Sequence, residues 1–129
     1  MADKTVIRTA AAPAPSQGAP YSQAIRFGDF VFTAGQIAVD PATGALVPGG
    51  IREQTERVML NLRAILEAAG SGMDKLVKTT VFLTNRDDWA AMNEVYVRHV
   101  GARPPARSAV EVSRLAPGAV VEIEAVAHL

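Results

Sequence analysis

The residues able to do chemistry in this chain are few. Arg107 opens an apolar stretch directly after Pro104-Pro105-Ala106, and Glu122 and Glu124 alternate with apolar residues near the C-terminus. If the two segments pair as strands, Arg107 and a glutamate share one surface. The ordinary outcome is a cross-strand salt bridge, since such pairs are common. The sharper alternative is an Arg fork gripping a ligand carboxylate through two parallel hydrogen bonds, with a nearby Glu managing a proton or a water. Tyr21 follows Ala19-Pro20 and reads as an aromatic anchor under an N-terminal loop. Gly35 ends a strand, where a missing side chain admits a ligand or a second backbone, although a plain bulge explains it equally well. Asn93 sits on a helical segment and can be simply solvated.

Other chemistries are excluded by what is missing. The chain has no cysteine, which removes disulfides, thiolate metal sites, iron–sulfur clusters and a thiol nucleophile. His99 and His128 have no partner at ligand spacing, so no metal is expected. The sequence holds no glycine-rich phosphate loop, no HExxH motif and no nucleophile elbow around any serine. Thirteen basic residues balance thirteen acidic ones, which argues against a protein that grips phosphate backbones.

The elements that must position these residues can be read in outline. A length of 129 residues with 49% hydrophobic composition suits one domain over 1–129, with 1–19 as an N-terminal segment whose order the sequence leaves open. No run approaches the roughly 18 apolar residues of a membrane span, and the Ala/Pro-rich start lacks a signal-peptide core, so a cytoplasmic protein is expected. Ile25–Phe27 and Phe30–Thr33 flank Gly28-Asp29 and predict a β-hairpin. The stripe Val58, Leu62, Ile65, Leu66 and Ala69 predicts a helix over 51–69, ended by Gly70. Leu76–Leu83 reads as a strand with Val77, Thr79, Val81 and Leu83 on one face. Asp87 or Asp88 is placed to cap a second helix, to about Val100, with Met92, Val95, Tyr96 and His99 inward. Strands at Arg107–Val112 and Val120–Ala127 follow, around a turn at Ala116-Pro-Gly118. The order predicts an α+β fold with two helices on one face of a mixed sheet.

Five segments together resemble the RidA/YjgF family of enamine/imine deaminases, also known as L-PSP endoribonuclease-like proteins. They are Ala19-Pro-Tyr-Ser-Gln-Ala24, Thr33-Ala-Gly-Gln-Ile37, Val77-Lys-Thr-Thr-Val-Phe-Leu83, Pro105-Ala-Arg-Ser-Ala-Val-Glu-Val112 and Val121-Glu-Ile-Glu-Ala-Val-Ala127. The resemblance runs from about Pro20 to Ala127. It implies a chorismate mutase-like fold, a homotrimer with pockets at subunit interfaces, and no cofactor. The implied reaction is hydrolysis of 2-imino acids (the tautomers of 2-aminoacrylate and 2-aminocrotonate) to 2-oxo acids and ammonia. By the same resemblance Arg107 anchors the substrate carboxylate and Glu122 handles the attacking water. Tyr21, Gly35 and Asn93 then line the pocket. Two positions depart from the pattern: Ala34 stands where many members have Ser, and Ala109 where many have Cys. A non-catalytic 2-oxo acid binder and an endoribonuclease are the rival readings.

Overall fold

The computed structural model describes residues 3–129; the expectation for the first two residues of the N-terminal segment lies outside them. Eight principal elements follow in order. They are β1 (Thr5–Ile7), β2 (Ala24–Phe27), β3 (Phe30–Thr33), α1 (Ile51–Ala68), β4 (Leu76–Leu83), α2 (Trp89–Val100), β5 (Ala106–Glu111) and β6 (Val121–His128). The fold is α+β as expected: one six-stranded mixed sheet in the order β1-β2-β3-β6-β4-β5, with both helices packed on one face.

Local sequence explains most of these elements. Gly28 takes φ 58° at the first position of the β2–β3 turn, a conformation that side-chain-bearing residues avoid. Helix α1 begins where the Glu53 carboxylate accepts the Gly50 N–H at 2.8 Å. It buries Val58, Met59, Leu62, Ile65 and Leu66 completely. Its end is a Schellman turn: Gly70 adopts φ 85°, its N–H donates to the Glu67 carbonyl, and the Ser71 N–H reaches the Leu66 carbonyl. Helix α2 buries Met92, Val95, Tyr96 and Val100.

Four details depart from the sequence reading. The segment 1–19 contributes a strand: β1 pairs antiparallel with β2, and buried Gln23 holds the chain that follows. Its carboxamide accepts the Thr9 N–H at 2.7 Å and donates toward the Thr9, Ala12 and Pro13 carbonyls. In β4, Thr79, Val81 and Leu83 face the helices as expected, but Val77 does not join them. A bulge between Leu76 and Lys78 shifts it out of the alternation and leaves it exposed. Neither Asp87 nor Asp88 caps α2 through its side chain. A short 3-10 turn at Arg86–Asp88 precedes the helix, and Asn85, in extended conformation, accepts the Asp87 N–H at 2.9 Å. Finally, β5 does not pair with β6. It runs parallel to β4, which lies between them.

The loop from Gln36 to Val47 is tied to the body by buried amides. Asn61 on α1 donates to the Ile37 and Val39 carbonyls, and Gln36 exchanges backbone hydrogen bonds with Ile123. Gln54 fixes the entry to β6 by donating to the Gly118 carbonyl and accepting the Val120 N–H.

Candidate active site

Pleat geometry decides where the chemistry-bearing residues go. Residues paired across a sheet share a face, and faces alternate along a strand. Arg107 pairs with Thr79, which is buried under the helices, so Arg107 faces α2. Glu122 pairs with Phe82, three residues along β4, and therefore faces the opposite, helix-free side. The cross-strand Arg–Glu pair expected from the sequence is thus absent within one chain. The strands are not neighbours, and the two side chains point through opposite faces.

Arg107 is instead held by α2. Its Nη1 donates to the Asn93 Oδ1 at 2.7 Å, and its guanidinium carbon lies 5.0 Å from the Trp89 ring centre and 4.8 Å from that of Tyr96. Tyr96 is buried and shares a 2.6 Å hydrogen bond with the buried Thr79 hydroxyl. Among the described residues Arg107 makes no ion pair and no second hydrogen bond. Most of its five donors remain available, on an edge strand where the residue is partly buried.

Glu122 occupies the second cluster. Gly35 lies so close that a Cβ built there would stand 2.9 Å from the Glu122 Cδ and 3.1 Å from its Cγ. Since Gly35 has no left-handed backbone, its missing side chain serves this close approach rather than a turn. Burial pushes the Glu122 carboxyl above the usual carboxylate range, and the Glu124 charge two residues away adds to the shift. Gly35 and Tyr21 line one cleft of about 590 Å3 between the N-terminal segment and the loop after β3. The Tyr21 ring is half-exposed there, and its hydroxyl accepts the Ser16 N–H at 3.2 Å.

The five candidate residues therefore fall into two groups, each a candidate half-site. Arg107 and Asn93 lie against α2; Tyr21, Gly35 and Glu122 gather around the opposite side of the sheet and its adjoining cleft. The sequence reading missed Trp89 altogether and took Tyr96 only as core. Their signal was the helical spacing from Trp89 through Asn93 to Tyr96, which places all three along one side of α2. It also missed Gln23, whose Pro-Tyr-Ser-Gln setting gave no hint of its four backbone bonds. Ala34 and Ala109 sit beside the two half-sites: the Ala34 N–H donates to the Gln23 carbonyl, and Ala109 packs on the core. Among the described residues no group of three or more His, Asp or Glu side chains could hold a metal ion. Among the described residues no helix is long and apolar enough to cross a membrane.

With this geometry in place, comparison with known proteins gives the class. Residues 10–129 match the family described as Endoribonuclease L-PSP. The chain belongs to this family, which is also the RidA/YjgF or Rid family. It is 53% identical over 125 residues to a RutC family protein of Pyrococcus abyssi, covering 97% of each chain. It is 42% identical to the mouse protein named 2-iminobutanoate/2-iminopropanoate deaminase, covering 96% of this chain and 90% of that one. Among solved structures it resembles Escherichia coli TdcF with bound serine, at a TM-score of 0.90 and 40% identity, covering 97% of this chain and 98% of that one.

Proposed function

We propose that this protein is a cofactor-independent deaminase that hydrolyses small 2-imino acids to 2-oxo acids and ammonia. The observation that carries the reading is the state of Arg107. A guanidinium braced by two aromatic rings and one amide, with no carboxylate of its own chain, is prepared for a carboxylate from outside. An Arg matches the planar carboxylate with two parallel bonds, which Lys cannot do. The name of the mouse relative and the serine bound in the E. coli relative support a small carboxylate-bearing substrate.

The protonated imine carbon is already electrophilic, so positioning and one proton-handling group suffice. Glu122, with its raised pKa, takes a proton from the attacking water. Water adds to the C=N carbon to give a carbinolamine, and Glu122 returns the proton to its nitrogen. The C–N bond breaks as the hydroxyl becomes the carbonyl of the 2-oxo acid, and the hydroxyl proton passes to the departing ammonia, which leaves as ammonium. For 2-iminopropanoate the sum is iminium carboxylate plus water to pyruvate plus ammonium.

One chain cannot close this site, because Arg107 and Glu122 face opposite sides of its sheet. We therefore assign the working unit to a homotrimer in which Arg107 and Asn93 of one subunit meet Tyr21, Gly35 and Glu122 of a neighbour. The helix-free face supports self-association, since Phe27, Phe30 and Phe32 are each nearly half-exposed there. Such clustered apolar exposure marks an interaction surface. An endoribonuclease reading draws on the family description, but net neutrality offers no electrostatic footing for RNA.

The test couples the protein to a serine or threonine dehydratase with its amino acid. Addition of the protein should accelerate 2-oxo acid release, and the Arg107→Ala variant should not. Equal acceleration by both would overturn the assignment.

A further inference from the structure

We infer that Trp89 and Tyr96 are positioning residues that clamp the Arg107 guanidinium and set the direction in which it presents its free donors to a carboxylate. The inference rests on the reading of Arg107 as the carboxylate anchor. Arginine has a long, rotamer-rich side chain, and freezing it opposes ligand binding. Here the freezing is done before the ligand arrives. The guanidinium lies within cation–π range of both rings, at 5.0 Å and 4.8 Å. Tyr96 is in turn immobilised by burial and by its hydroxyl bond to Thr79 on β4. Asn93 fixes a third direction through Nη1. The line Thr79–Tyr96–Arg107–Asn93 thus ties an edge-strand side chain to the core of the sheet and to α2.

Trp89 differs from Tyr96 in one useful respect. It is 41% exposed at the first turn of α2, so it touches Arg107 without being part of the core. It is also the only tryptophan in the chain, so its emission reports on the guanidinium beside it. A carboxylate settling on Arg107 changes the charge a few ångströms from the indole.

The test has two arms. In the first, pyruvate is titrated into the wild-type protein while Trp89 emission is followed. A saturable change that is lost in Arg107→Ala is expected; an emission indifferent to pyruvate would overturn the inference. In the second, Trp89→Leu should raise KM by about 3- to 30-fold with kcat changed less than about twofold, the signature of lost uniform binding. Trp89→Phe, which keeps an aromatic face, should recover most of that loss. An unchanged KM in Trp89→Leu, with the fold intact by circular dichroism, contradicts the clamp. The two readings fail separately. Pyruvate-sensitive Trp89 emission in a protein that does not accelerate 2-oxo acid release would leave the clamp standing and sink the deaminase.

Discussion

At the scale of single residues, Arg107, Glu122 and Gly35 carry distinct and separable expectations. Loss of two charge-assisted bonds, each contributing about 1.5–3 kcal/mol, should lower kcat/KM in Arg107→Ala by roughly a hundredfold or more. Arg107→Lys should recover little, because a point charge does not reproduce the fork. Steady-state kinetics on the coupled assay checks both. Glu122 should behave oppositely in activity and stability. Its pKa is raised in the folded chain by burial and by Glu124. A carboxyl raised on folding favours the fold fully below its unfolded pKa, and that advantage is lost as pH rises through the folded value. Glu122→Gln should therefore abolish turnover yet gain in urea midpoint over wild type as pH climbs from the acidic range to neutrality. A constant difference across that window would contradict the burial of the charge. Gly35→Ala should displace the Glu122 carboxyl, which a Cβ would strike. The displaced atoms are the end of a flexible side chain, so melting temperature should hardly move while kcat falls.

At the scale of elements, the N-terminal strap is the clearest case. Gln23 satisfies four backbone groups between Thr9 and Pro13 from one buried carboxamide, and this strap forms one wall of the cleft beside Tyr21. Gln23→Ala should cost about 1–3 kcal/mol, the penalty for orphaned buried polar groups. It should also raise amide hydrogen exchange in residues 9–15 before the rest of the sheet. Uniform loosening of the whole sheet would argue against a local strap. How much was legible in the sequence follows from what each element depends on. The hairpin, both helices and β6 were readable because periodicity and turn chemistry are local. Strand β1 was not: three residues, two of them exposed, carry no period. Asp88 does stand at the N-cap of α2, but its side chain makes no cap bond. Three acceptors, Asn85, Asp87 and Asp88, compete within four positions, and backbone conformation gives the bond to Asn85, at the start of the preceding 3-10 turn. The neighbours of β5 were unreadable for a deeper reason. That β4 lies between β5 and β6 is a long-range choice, and no residue in either strand encodes it alone.

At the scale of the whole molecule, the same choice of strand order parts the site candidates of one chain into two groups, the half-sites of the proposed pocket. The five site candidates were legible as residues through resemblance to the family. Their division between opposite faces was not, because it depends on which residue of β4 each one pairs with. Thr79 and Phe82 are three apart, and that odd spacing sends Arg107 to the helices and Glu122 to the open face. The proposed trimer reunites them, and light scattering should give three chains of 13.6 kDa rather than one. The most direct measurement mixes two variants that are each expected to be nearly inactive alone. Arg107→Ala and Glu122→Gln are co-folded in equal amounts so that subunits exchange at random. If each pocket draws its Arg and its Glu from different subunits, about a quarter of pockets regain both groups and about a quarter of wild-type activity returns. Mixed trimers with no recovered activity would show that both groups come from one chain, and the shared-pocket account would be wrong.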